Sequence, residues 1–302
     1  MKVLIVTSGN SGIIAPFIKE QANSLRRHSV TSEYYIIKGK GIFGYLKNYI
    51  PLKQKINTYK PDLVHAHYGL SGLLSSLQRK VSVITTFHGS DINLKKNWIF
   101  SYFASKLSKE CIFVHLDQPT NIKYHRYIHI IPCGINFEIF HPINKYKARK
   151  LLSLENNKIY CLFSSHFNKK GKNFTLAKKA VALLTEKVEL IELKNKSREE
   201  VNLLMNAVDL LLITSFSETG PLVVKEAMAC NCPIVSTDVG DVSEIIRDIE
   251  GCYLSAFNPH DVAQNIIKGI KFGKRTKGRG KVLFFDNKII AKKIYAVYKS
   301  CV

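Results

Sequence analysis

Short apolar runs alternate with amphipathic stretches along the whole chain. In the first half the runs predict strands at 2–7, 30–37, 62–67, 81–87, 111–117 and 128–132, with helices among them at 15–27, 70–79 and 97–108. Val81-Ser82-Val83-Ile84-Thr85-Thr86-Phe87 and Cys111-Ile112-Phe113-Val114 are apolar enough to lie in a parallel sheet covered on both faces. The pattern then restarts. Strands are expected at 158–165, 188–193, 208–214, 233–237 and 251–254, and helices at 173–186, 198–207, 221–230, 241–248 and 259–272. Repeated strand–helix order predicts a doubly wound parallel α/β sheet, and its restart predicts two such domains. Pro and Gly punctuate the segment from Pro132-Cys133-Gly134 to His141-Pro142. The domains are set at 1–145 and 146–285; a helical pattern resumes over 286–300, and residues 286–302 are expected to form a C-terminal helix packing back on the first domain. Lys271 to Lys281 is basic, Gly-rich and aperiodic, and is expected to be a solvated loop. Two such domains face each other across a cleft at the carboxyl ends of their strands, where open α/β sheets bind ligands.

Composition narrows the class. A chain of 302 residues, 46% hydrophobic and 23% charged, suits a soluble protein of two domains. No stretch nears the ~18 apolar residues of a membrane span. The opening run Met1-Lys2-Val3-Leu4-Ile5-Val6 stops at Thr7-Ser8-Gly9, too short for a signal-peptide core, so a cytoplasmic protein is expected. Seven scattered cysteines form no zinc-site spacing and read as reduced, buried thiols.

The net charge is +22, and residues 1–150 hold 22 basic against 7 acidic side chains. Such a surface attracts polyanions. No basic module interleaved with aromatics points to nucleic acid. Lys38, Lys40, Lys47, Lys53 and Lys55, among Ile42, Phe43, Tyr45, Leu46 and Tyr49, instead suggest peripheral docking on the inner face of an anionic membrane. An ordinary loop and helix in a lysine-rich chain is the plain alternative.

The chemistry concentrates in Ser217-Glu218-Thr219-Gly220-Pro221-Leu222, followed by Val223-Val224-Lys225-Glu226-Ala227-Met228-Ala229. A buried strand ends at Thr214-Ser215, a polar turn carries Glu218, and Pro221 suits a first helical turn. Backbone N–H groups there, with Gly220 allowing close approach, suit a diphosphate. Glu226, one and a half turns into the helix, is placed to accept from a ribose diol. Two glutamates at this spacing are also common as a solvated pair flanking a helix start.

Together with Cys232-Pro233-Ile234-Val235-Ser236-Thr237-Asp238-Val239-Gly240-Asp241 and Glu244, this segment resembles the signature of glycosyltransferase family 4 (group 1). Pro61-Asp62-Leu63-Val64-His65-Ala66-His67-Tyr68-Gly69, Thr86-Phe87-His88-Gly89-Ser90-Asp91 and Ile131-Pro132-Cys133-Gly134-Ile135-Asn136 resemble further motifs of the family in the right order. The resemblance implies a GT-B fold of two Rossmann-like domains, the first binding the acceptor and the second the nucleotide sugar. It assigns Glu226 to the nucleotide ribose, Glu218 to donor-sugar hydroxyls, and Thr219, Gly220, Pro221 and Leu222 to sugar and diphosphate through their amides. The turn departs from the family in reading Glu-Thr-Gly-Pro. His88 is assigned to the transferred sugar, with Asp91 helping to orient it, and Gly12, in Ser8-Gly9-Asn10-Ser11-Gly12, to the diphosphate. His65 and His67 alternate on one strand, are expected to face opposite sides, and are read as core or supporting residues. The family's diphosphate-binding lysine falls on Lys172 counting back from the helix, or on Lys170 counting from the strand, and its arginine position is occupied by Ser165.

The expected activity is that of a retaining, metal-independent glycosyltransferase without a cofactor. It would move a hexose or N-acetylhexosamine from a nucleotide-diphosphate sugar, UDP-linked, to a glycan or polyprenyl-diphosphate-linked acceptor. A nucleotide-sugar-binding protein with little or no turnover, suggested by Ser165, is the alternative; an epimerase or phosphorylase on the same fold is a further one.

Overall fold

The computed structural model describes residues 1–10, 12–93, 95–122 and 128–302. It divides into two compact units, Met1–Gly134 with Asn287–Val302, and Ile135–Asp286. Each is a parallel sheet clothed in helices, the doubly wound α/β architecture that the alternation predicts.

The first unit contains β1 (Lys2–Ser8), β2 (Thr31–Ile37), β3 (Leu63–His67), β4 (Ser82–Phe87), β5 (Glu110–Phe113) and β6 (Ile128–Ile130), in the order β2-β1-β3-β4-β5-β6. Alternate residues of a strand face opposite sides of its sheet. Val3, Ile5, Leu63 and Ile84 pack on one face against Ile18 and Leu25 of the helix Pro16–Leu25, and Ile290, Ile294 and Tyr298 of the helix Asn287–Lys299 join them. Leu4, Val6, Val64 and Ala66 pack on the other face with Leu52 and Ile56 of the helix Tyr49–Tyr59. β2 and β3 flank β1 on opposite sides, so the winding reverses between β1 and β3.

The second unit contains β7 (Ile159–Phe163), β8 (Val188–Glu192), β9 (Leu210–Ile213), β10 (Ile234–Thr237) and β11 (Cys252–Ser255), in the order β11-β10-β9-β7-β8. Here the reversal falls between β7 and β9. Such reversals splay the loops leaving the strands and open a crevice for ligands.

Two sequence expectations give way. The strand expected to reach 117 ends at Phe113, because the Gln118 side-chain oxygen accepts from the N–H groups of Val114 at 2.8 Å and His115 at 3.1 Å and turns the chain. The segment from Lys271 to Lys281 is not a solvated loop. After Gly273 ends the helix Pro259–Phe272 with a φ of 63°, Arg275 donates to the carbonyls of Met205, Val208 and Cys230, and Arg279 to those of Phe140 and Ala229. A guanidinium offers five donors in a fixed fork, suited to carbonyls left over at helix ends. The basic composition that reads as solvation therefore serves as internal capping. All seven cysteines are free thiols. Among the described residues no helix is long and apolar enough to cross a membrane.

Candidate active site

In the second unit the loops leaving β7 and β9 meet at the reversal. Phe216 N–H donates to the Gly171 carbonyl at 3.1 Å, and the Thr214 hydroxyl to the carbonyls of Lys172 and Asn173 at 3.1 and 2.9 Å. These bonds fix the turn Lys170–Lys172 and bring the Lys172 ammonium into an ion pair with Glu218, both side chains mostly buried. Lys170, on the same turn, is exposed. Of the two lysines that the sequence leaves open, Lys172 is the one brought to Glu218.

A second ion pair stands at Glu226. Glu226 lies in the helix Leu222–Ala229, is 4% exposed, and pairs with Arg198 Nη1 at 2.7 Å. The Arg198 guanidinium also sits 4.5 Å from the centre of the buried Phe140 ring, a contact favourable for a cation. Sequence reading missed Arg198. Its signal is slight: it opens the helix Arg198–Ala207 directly after Ser197, whose capping box with Glu200 marks the start.

The turn from Glu218 to Pro221 is backed from below. Gly240 has a φ of 58°, and a Cβ there would lie 2.7 Å from the Thr219 carbonyl oxygen, so only glycine fits. Beside Gly220, the buried Lys225 ammonium pairs with Asp241 at 2.9 Å and lies 4.3 Å from the Phe285 ring centre. Pro221 is the helix N-cap, and no side chain caps that helix start. Ser165 is buried, and its carbonyl accepts from Leu193 N–H at 3.1 Å.

In the first unit Asn10 and Gly39 exchange two hydrogen bonds of 2.8 and 3.1 Å, tying the loop after β1 to the one after β2. Gly12 is exposed with a φ of 86°, and its N–H donates to the Gly9 carbonyl; Ser11 lies outside the described residues. At the reversal between β1 and β3 lies a cavity of about 420 Å³ whose lining includes Ser8, Tyr45, Tyr68, Ser90, Asn97 and Phe100. Tyr68 has φ 74° and ψ 145°, backbone space that costs a non-glycine residue about 1–3 kcal/mol and is concentrated at functional sites. Its N–H donates to Thr86 and its ring packs 4.7 Å from that of His88.

His88 follows β4. Its Nε2 faces His67 Nδ1 at 3.0 Å and its Nδ1 faces the Cys133 thiol at 3.6 Å. Asp91 does not orient this ring: its Oδ1 accepts from the backbone N–H groups of His88 and Gly89, and its Oδ2 from that of Gly69. It shapes the turn that carries His88. The expectation that His65 and His67 face opposite sides is wrong. Residues two apart on a strand share a face, and these rings stack at 4.4 Å. His65 is further held by Tyr298 and Thr86 at 2.6 and 2.7 Å, while His67 Nε2 is buried without a partner.

Burial keeps this cluster neutral. It pushes His65 and His88 down to about 3 and His67 well below the usual imidazole value. In the unfolded chain each histidine takes up a proton below about pH 6.5, whereas in the fold His65 and His88 remain neutral to about pH 3. Their stabilising contribution is therefore complete above pH 6.5 and is lost as the pH falls, by up to about 1.4 kcal/mol per pH unit for each. Asp91, raised to about 6 by burial, acts in the opposite direction between roughly pH 4 and 6 and offsets one histidine. Calorimetry should show a midpoint lower at pH 5 than at pH 7 by on the order of 10 °C. Equal midpoints would mean that the folded cluster accepts protons.

The chain thus has two parallel-sheet α/β units, the second carrying the ion pairs of Lys172 with Glu218 and Arg198 with Glu226. The family described as "Glycosyl transferase 4-like" matches residues 2–114, and that described as "Glycosyl transferases group 1" matches residues 170–271. An uncharacterized glycosyltransferase of Methanocaldococcus jannaschii is 26% identical over 256 residues, covering 74% of this chain and 72% of that protein. Among solved structures, the sucrose-phosphate synthase of Thermosynechococcus elongatus superposes with a TM-score of 0.84 at 15% identity, covering 99% of this chain and 98% of that one. Anabaena HepE in complex with UDP-glucose superposes with a TM-score of 0.77 at 17% identity, covering 99% and 100%. The chain belongs to the group 1, family 4 type of glycosyltransferases with the GT-B fold.

Proposed function

We infer that the chain transfers a hexose or N-acetylhexosamine from a UDP-linked sugar to a hydroxyl of a glycan or lipid-linked glycan, with retention at the anomeric carbon and without a metal. The observation that carries this reading is the pair of acid–base contacts in the second unit, Lys172 with Glu218 and Arg198 with Glu226. The Anabaena structure, with UDP-glucose bound to the same fold, supports the choice of base.

In this reading Glu226 accepts from the ribose diol, and Arg198 holds that carboxylate in place. Glu218 accepts from sugar hydroxyls. Lys172, the amides of Thr219 to Leu222 and the helix start they lead into take the diphosphate as charge grows on it. Lys170 lends support to the same group. The departing phosphate oxygen receives the acceptor proton on the face it leaves, which preserves the anomeric configuration. The acceptor occupies the cavity of the first unit, where Tyr45, Tyr68 and Phe100 offer aromatic faces and Ser8, Ser90 and Asn97 offer hydrogen bonds. His88, neutral at physiological pH, can donate a hydrogen bond once its weak thiol contact is exchanged. A lipid carrier would keep its tail in a bilayer, so the enzyme would work at a membrane surface.

Screening the purified chain against UDP-, GDP- and ADP-sugars for donor hydrolysis tests the reading. A UDP-sugar is expected to turn over, and Glu218→Ala to lose at least about a hundredfold in rate. Full turnover by Glu218→Ala would sink the site assignment, and tight binding with no turnover would leave only a nucleotide-sugar-binding protein.

A further inference from the structure

Between β2 and β3 the chain makes a short helix, Gly41–Leu46, that buries none of its residues. Lys47 and Asn48 keep helical backbone and lead into the helix Tyr49–Tyr59. Ile42, Phe43, Leu46 and Ile50 follow at helical intervals and so share one stripe. Phe43 is 81% exposed and Ile50 66%, and Ile42 and Leu46 are about half exposed. Around the stripe stand Lys38, Lys40 and Lys47, all exposed, with Lys53 partly so.

The stripe is held rigidly. Asn48 is buried, and its side-chain amide donates to the carbonyls of Lys38 and Gly44 at 2.9 and 2.7 Å. Its oxygen accepts from Lys38 N–H and the Tyr35 hydroxyl. Gly39 and Gly44 meet so closely that a Cβ on Gly44 would lie 2.6 Å from the Gly39 backbone. Tyr45 and Tyr49 turn inward, onto the core cluster around Leu52 and Val64, and Lys55 is taken by Glu33. These three therefore drop out of the basic, aromatic face that the sequence suggests, and Ile50 enters it.

We propose that this stripe and its lysines seat the first unit on an anionic lipid bilayer. Four apolar side chains fixed outward in a ring of cations match the interfacial pattern, in which apolar groups enter the acyl boundary and lysines meet acidic headgroups. The same helix sends Tyr45 into the wall of the 420 Å³ cavity, so an acceptor seated there would leave a lipid tail beside the stripe. This last step rests on the reading of a lipid-linked acceptor; the seating itself does not.

The test is sedimentation of the full chain with vesicles of neutral phosphatidylcholine, alone or containing phosphatidylglycerol, without any substrate. Binding should require the anionic lipid and weaken with salt. Phe43→Ser/Ile50→Ser should weaken it at least tenfold. Lys38→Gln/Lys40→Gln/Lys47→Gln should weaken it about a hundredfold, at roughly fivefold per lysine. Lys178→Gln/Lys179→Gln, on an exposed face of the second unit, should leave it unchanged. Equal binding to neutral vesicles, or full binding by the Phe43/Ile50 variant, would overturn the proposal. So would a self-associating chain whose dimer that variant abolishes while vesicles go unbound. Donor hydrolysis by the Phe43/Ile50 variant stays at the wild-type rate. Turnover without vesicle binding therefore defeats the surface alone, and vesicle binding without nucleotide-sugar binding defeats the transferase reading alone.

Discussion

The Glu226→Ala variant is expected to lose about a thousandfold in kcat/KM for the donor, chiefly through weaker nucleotide binding. A hydrogen bond to a charged acceptor contributes about 1.5–3 kcal/mol, and a ribose diol makes two. The ribose does not change during the reaction, so its contacts act alike on bound substrate and transition state, and the loss belongs in KM more than in kcat. The substitution also removes one ion-pair partner of the Arg198 guanidinium beside Phe140. That side chain is 20% exposed, so water reaches it and the cost to folding stays near 1–2 kcal/mol, below that of breaking a fully buried pair. Titration with UDP and steady-state kinetics separate the two effects. Unchanged UDP affinity in a destabilised variant would make Glu226 a structural partner of Arg198 and nothing more.

Replacing Lys172 by methionine is expected to act on the other kinetic constant. Its ammonium matters most where negative charge grows on the departing diphosphate, and removing one such preorganised donor lowers kcat by about a hundred- to a thousandfold. Donor KM should move far less. Lys170→Ala, on the exposed side of the same turn, should cost less than about threefold. A reversed ranking would hand the role to Lys170 and leave Lys172 as a tether for Glu218.

These two residues show what a sequence can and cannot disclose. Lys172 and Glu218 are far apart along the chain, yet each follows a strand, and the winding makes those strands neighbours. The resemblance to the family singled out each residue for the donor, but the contact between them follows only from the strand order of the fold. Arg198 with Glu226 was invisible because it joins two helices, and which residues meet there depends on rotations about the helix axes that no local pattern encodes. The fold was legible where apolar runs were bounded by polar turns. It was misread where a side chain did a backbone's work, as Gln118 does in ending β5 and Arg275 and Arg279 do in capping helices. The histidines were misplaced for a simpler reason: a two-residue step along a strand returns to the same face.

The first unit is completed by a helix that comes after the whole of the second. The second unit accordingly begins and ends at one spot, where Ile135 bridges Asp286 and its N–H donates to the Phe285 carbonyl at 2.8 Å. In topological terms it is a cassette spliced into a host. No single backbone cut releases either part whole. A graft spanning 135–286, by contrast, has both its seams side by side, so recombination between relatives can exchange that unit in one piece while the host is kept.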